Sequence, residues 1–312
     1  MKISLITTVL NEENAIGFFL ESVSKQTVSP DELIIVDAGS KDATVSSIKY
    51  YVSSMKRIKT RVIVKKGNRS AGRNIAIKNS SGDIIAVSDA GCILDKNWLK
   101  NITKPFENKD VDVVAGFYKP RTGSIFEECL ATYTCVMPDK VDPKNFLPSS
   151  RSVAFRREAF KKVRGYPENL NTCEDLVFDK KLKKAGFKFQ FAKKAIVYWP
   201  QRKNIFQATK QFLNYAIGDG QALYIRPQTP LLFARYFFGL ILVIFYFTTK
   251  SALLLSIIYY LLSIYLIWSV WKNYKYVKHP KAFIYLPALQ ITSDMAVICG
   301  MTLGFLKRFM RI

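Results

Sequence analysis

The chain holds one histidine, His279, in 312 residues. That scarcity excludes a histidine-centred nucleophile relay and any multi-histidine zinc site. The five cysteines (Cys92, Cys129, Cys135, Cys173 and Cys299) are scattered without a C-x-x-C spacing. Neither a disulfide framework nor a zinc knuckle is expected from them, and they read as small buried side chains. Acids are few, 24 against 47 lysines and arginines, for a formal net charge of +23. Such an excess attracts polyanions: nucleic acid, anionic headgroups or phosphorylated substrates. No zinc-finger spacing or RNP motif accompanies it, so no nucleic-acid partner is expected. With histidine scarce, a general base has to be a carboxylate. The opening MKISLITTVLNEEN has only a brief apolar run before its acids, and reads as a first strand rather than a secretory leader.

What is present is an alternation of short apolar runs and amphipathic stretches. Strands are expected at 3–10, 32–37, 61–65 and 83–88, with helices at 14–26, 44–55 and 70–79 between them. That order predicts a mostly parallel, Rossmann-like α/β sheet with helices on both faces. Further strands are expected at 111–118, 152–155, 187–191 and 195–199. Helices are expected at 158–163, 173–185 and about 201–225.

Beyond residue 230 the composition changes. Residues 231–247 and 252–271 are nearly continuous apolar stretches of about the 20 residues a bilayer span needs. A third, 283–306, is interrupted by Pro287, Gln290, Ser293 and Asp294 and is expected to span as well. Lys272, Lys275, Lys278 and Lys281 between the last two put that loop, and the N-terminal domain with it, in the cytoplasm. Lys307, Arg308 and Arg311 also ask to be inside, which three full crossings would not allow. Arg235 is expected to snorkel to the headgroups.

The run Ile84–Val87 ends in Asp89-Ala90-Gly91, one acid among small residues. A carboxylate at the end of a buried strand suits a cation or a ribose hydroxyl, and equally a strand-to-loop turn. Other stretches repeat the pattern of a strand followed by polar residues. They are S-L-I-T-T-V-L-N-E-E at 4–13, I-I-V-D-A-G-S-K-D-A-T at 34–44 and G-N-R-S-A-G-R-N at 67–74. The longest is the series from Ser149 to Lys188, with A-F-R-R-E-A-F, G-Y-P-E and E-D-L-V-F-D-K-K-L-K-K-A-G in order.

Together these motifs resemble family-2 glycosyltransferases, inverting enzymes of the GT-A fold, over about residues 3–220. The resemblance implies that Thr8, Val9 and Glu12 contact the nucleoside of a nucleotide-sugar donor, and that Asp37 accepts a nucleobase N–H. Arg69 and Arg73 would grip the diphosphate, and Arg202, in W-P-Q-R where processive relatives carry Q-x-x-R-W, would meet a diphosphate or an acceptor phosphate. Asp89 would hold a divalent cation, Mg or Mn, although Gly91 replaces the second acid of the family's D-x-D. Asp175 would be the base, with Glu174 orienting it. The chain is thus expected to comprise a GT-A domain at 1–225 and membrane-anchoring helices at 226–312. Its expected activity is sugar transfer to a hydroxyl of a lipid-linked or cell-envelope glycan at the cytoplasmic side of the cell membrane. The rivals are a polyprenyl-phosphate sugar synthase and a non-catalytic membrane protein that keeps the nucleotide-binding fold.

Overall fold

The computed structural model of this chain describes residues 1–310. They form two compact units, one of Met1–Arg121 with Met137–Pro200, the other of Thr122–Val136 with Gln201 onward. The boundary expected near residue 225 therefore lies inside the second unit.

In the first unit, β1 (Ile3–Val9), β2 (Glu32–Asp37), β3 (Lys59–Val64) and β4 (Ile84–Val87) alternate with α1 (Ile16–Ser24), α2 (Thr44–Ser54) and α3 (Arg69–Lys78). After β4 come β5 (Ile93–Leu94), α4 (Trp98–Thr103), β6 (Val113–Arg121), β7 (Val153–Arg156), α6 (Arg157–Lys162), α7 (Glu174–Lys184) and β8 (Phe189–Pro200). The helix numbered between them, α5 (Ile125–Thr134), belongs to the second unit. The sheet order is β3-β2-β1-β4-β7-β6-β8-β5. β1 through β4 pair in parallel, and β6 with β8, while β7 and β5 are antiparallel to their neighbours. This is the α/β class expected, with two differences: the short strands expected at 187–191 and 195–199 are one strand, β8, and β5 and α4 occupy a stretch where no element was expected.

The central strands are buried on both faces, so their sequences are continuous apolar runs and helices cover both sides. Leu5, Leu33 and Ile35 face a core shared with Phe19, Ile48 and Trp98. Ile6, Ile34 and Val36 face the opposite core with Ala76, Phe155 and Phe178. Each such side chain contributes about 1.5–3 kcal/mol by burial. The register places Val9, Asp37 and Val64 side by side at the carboxyl edge of the sheet. Val153 of antiparallel β7 pairs with Val87, which brings 149–152 to the same edge. β6 and β8 run with β4, so Tyr118 and Trp199 arrive there too.

The second unit holds α5, α8 (Ile205–Gln221), α9 (Thr229–Thr249), α10 (Ala252–Val277) and α11 (Ala282–Phe309). The last three are long and apolar enough to cross a membrane. α5 falls where the sequence showed no pattern, yet its start carries one. Ser124 accepts the Glu127 amide and Glu127 reaches back to the Gly123 amide, a capping box displaced by one residue. Arg235 does not snorkel freely: its guanidinium pairs with the buried Asp294 of α11.

Candidate active site

The loops after β1 and β2 are laced together. Asn11 adopts φ 54°, a left-handed conformation Asn tolerates. Its amide donates to Ser40 Oγ at 2.8 Å, and its Oδ1 accepts the Lys41 amide at 2.9 Å. The Glu12 amide donates to Thr44 Oγ1 at 2.7 Å, and Glu13 accepts the Ala43 amide at 2.9 Å. The Thr44 hydroxyl also donates to Asp42, holding that carboxyl below the usual range.

Asp37 anchors this loop from within. It is fully buried, and its carboxylate accepts the amides of Gly39 and Ser40 at 2.9 Å each and the Ser40 hydroxyl at 2.5 Å. The residue expected as a nucleobase contact is thus buried, with both oxygens engaged by its own turn. Val9 also points inward, into the core, while Thr8 packs against Gly72 of α3.

At the centre stands Arg73, 1% exposed. One of its terminal nitrogens donates to Glu174 Oε1 at 2.7 Å and the other to Asp89 Oδ1 at 2.9 Å. Its guanidinium carbon lies 5.3 Å from the centre of the Tyr166 ring. Arg73 is thus committed to two carboxylates rather than turned toward an open pocket. Burial alone would raise the Asp89 carboxyl, but the charges of Arg73, Arg151 and Arg69 outweigh it and hold Asp89 below the usual range. Arg69, at the start of α3, is exposed. Asn68 caps that helix by accepting the Ala71 amide at 2.9 Å, and donates to the Glu168 carbonyl at 2.6 Å.

Asp175 follows Glu174 in the first turn of α7, half-buried. The Ser150 amide points at its Oδ2 from 3.4 Å, and Oδ1 accepts the Leu176 amide at 2.9 Å. Sequence reasoning missed its neighbours. The Arg151 guanidinium lies 3.8 Å from the centre of the Trp199 ring and 5.3 Å from that of Tyr118, and it donates to Ser149 Oγ at 2.8 Å. Only the fold brings these partners together, because they stand on three separate strands and loops.

One turn beyond Asp175, Asp179 is 2% exposed, and one of its oxygens has no hydrogen-bond partner. Burial and then the Asp175 charge push its carboxyl well above the usual range. A raised folded value favours the protonated native state, so stability falls as pH rises above the unfolded value of 3.8. Asp179→Asn is therefore expected to raise the melting temperature at pH 8 and to change it little near pH 4, as a thermal scan across pH would read.

Gly91 leaves open the place of the family's second acid, and Glu12 approaches it. A Cβ built on Gly91 would lie 3.9 Å from Glu12 Oε2. Asp89 and Glu12 are oxygen donors of the kind a hard divalent cation takes. Among the described residues no group of three metal-ligating side chains occurs. Arg202 belongs to the second unit, where its Nε donates to Gln211 at 3.3 Å.

Comparison with known proteins supplies an independent view. A family model described as "Glycosyl transferase family 2" matches residues 4–164. The O-antigen chain rhamnosyltransferase RfbN of Salmonella typhimurium is 29% identical over 213 residues, 63% of this chain and 66% of that protein. Glycosyltransferase AglE of Haloferax volcanii is 27% identical over 224 residues, 70% of this chain and 72% of that one. Among solved structures, the mannosyltransferase PcManGT of Pyrobaculum calidifontis, in complex with GDP-Man and Mn2+, superposes with a TM-score of 0.63 at 17% identity. The match covers 94% of this chain and 86% of that one, and it shows the GT-A fold.

Proposed function

This chain belongs to glycosyl transferase family 2, and we propose that it moves a sugar from a nucleotide-sugar donor to a hydroxyl of a lipid-linked or cell-envelope glycan, with inversion. The observation that carries this reading is the Asp89–Arg73–Glu174 chain, which fixes the start of α7 and so the position of Asp175. Asp175 takes the proton of the acceptor hydroxyl as its oxygen bonds to the anomeric carbon. The bond from that carbon to the diphosphate breaks, and the nucleoside diphosphate leaves with the electron pair.

Arg73 is a positioning residue in this scheme, not the diphosphate grip expected of it. That grip falls to the exposed Arg69 and to Arg151, both near enough to bias the Asp89 charge. Glu12 and Asp89 would hold a divalent cation, which supplies positive charge to the leaving diphosphate. PcManGT, with GDP-Man and Mn2+ bound, supports the donor class and the cation, and the name of RfbN supports an envelope-glycan acceptor. The apolar helices and the lysine-rich loop support a cytoplasmic site at the membrane. A polyprenyl-phosphate sugar synthase is the rival, but its acceptor oxygen is already anionic and gives Asp175 nothing to do.

The configuration of the new glycosidic bond tests the reading. NMR of the isolated product is expected to show the anomeric configuration opposite to that of the donor, and retention would refute the scheme. Glu12→Gln is expected to weaken Mn2+ binding about tenfold or more in the presence of nucleoside diphosphate, read by the free-Mn2+ EPR signal. Unchanged binding would remove Glu12 from the cation site.

A further inference from the structure

α9 and α10 are joined by only Lys250 and Ser251. If both cross the bilayer, the first turns of α9 and the last turns of α10 lie at one face. α11 begins at that face, because Tyr274 of α10 packs on Phe283 with ring centres 5.2 Å apart. Its middle dips from that face no further than the second turn of α9, where Asp294 pairs with Arg235, and meets α10 near its midpoint, where Asp294 accepts the Tyr265 hydroxyl at 2.8 Å. Its far end returns to that face. A Cβ on Gly304 would lie 2.3 Å from the Ile217 carbonyl oxygen and 2.9 Å from Gly220 Cα, and one on Gly300 2.6 Å from Ala216 Cβ. These glycines let α11 lie directly on α8, the helix that ends shortly before α9 begins.

α8 adds a second constraint. It accompanies α11 from the cluster of Ala208, Phe212, Leu286 and Leu289 to the Gly220–Gly304 contact. Its other side exposes Gln207, Lys210 and Asn214. A lysine at mid-bilayer costs about 2.5–3.5 kcal/mol, so α8 has no place in hydrocarbon, and α11 is bound along it. Meanwhile Ile284, Ile291, Met295, Leu306 and Phe309 are exposed and fall on one stripe of α11 at helical spacing. Lys307 and Arg308 flank the end of that stripe.

We propose that α11 does not cross the bilayer but lies in its cytoplasmic surface, with this stripe seated in the acyl layer of that leaflet. The protein then crosses twice, and Lys307 and Arg308 share the cytoplasmic side with Lys272, Lys275, Lys278 and Lys281, as the positive-inside rule asks. The inference rests on reading α9 and α10 as spans and not on the transferase chemistry, so its test is independent of activity.

Alkaline phosphatase and green fluorescent protein fused after Thr249, after Lys278 and at the C-terminus of the full chain would report the sides. Fluorescence at Lys278 and at the C-terminus, with phosphatase activity at Thr249, is expected. Phosphatase activity at the C-terminus would overturn the proposal, and fluorescence at Thr249 would overturn its premise. A second measurement reads depth, by brominated-lipid quenching of a fluorophore on cysteines placed at Ile291 or Leu306. Equal shallow depths are expected, whereas a spanning helix separates these positions by about 22 Å at 1.5 Å per residue.

Discussion

Asp175→Asn is expected to lower kcat by about 10²–10⁴-fold, the range a positioned general base contributes, while donor affinity stays within about twofold. The asymmetry follows from position. Asp175 is assigned to the acceptor hydroxyl and not to the donor, and Asn keeps its shape, its one oxygen still able to accept the Leu176 amide while its NH2 takes the place of the oxygen facing Ser150. What Asn cannot do is take a proton. Steady-state kinetics paired with donor titration separate the two effects. A mutant with unchanged kcat would remove the base and favour the lipid-phosphate rival, whose nucleophile needs none.

The second large effect concerns Arg73. Arg73→Met is expected to cost about 3–5 kcal/mol of stability, because it leaves two buried or half-buried carboxylates without their counter-charge. The pH dependence should change with it. In the native chain the arginine charges hold Asp89 below the usual carboxylate range, against the upward push of burial. A depressed folded value gives stability that is present above the unfolded value and lost as pH falls through the folded one. Without Arg73 the push of burial is less opposed, so that acid-side loss should shrink or reverse, and the cost of the substitution should be smaller at low pH than at high pH. The triple variant Arg73→Met, Glu174→Gln, Asp89→Asn should regain much of the stability, since no unpaired charge then remains buried. It should stay inactive, because the clamp that places Asp175 is gone. Denaturation curves at pH 5 and pH 8, beside donor turnover, separate the two roles. Recovery of activity in the triple variant would show that Arg73 does not position the base.

Much of this was legible in the chain, and what was not has physical causes. The strands of the first unit announce themselves because burial on both faces forces continuous apolar runs, as in Leu33–Val36. That Asp89 closes a strand and that Glu174 and Asp175 open a helix was readable because their motifs are local in sequence. Side-chain direction was not: Asp37 and Arg73 stand at the expected positions but are turned into the protein, one onto its own loop, the other between two acids. Pairings across long stretches were invisible for the same reason. Nothing local links Arg151 to Trp199 and Tyr118, or Arg235 to Asp294. Glu12 was read as a nucleoside contact, and only the fold shows it beside the gap at Gly91. Apolar length likewise could not say whether α11 crosses, since Gly300 and Gly304 have meaning only once α8 is known to lie on them.

The most direct test of the account is nucleoside-diphosphate release by the detergent-purified full chain, supplied with Mn2+, a membrane-lipid extract and a panel of UDP-, GDP- and dTDP-sugars. The account predicts release with one donor class, dependent on the lipid extract and falling steeply in Asp175→Asn. Donor binding without release from any sugar, with extract present, would contradict it and leave a nucleotide-binding membrane protein in its place.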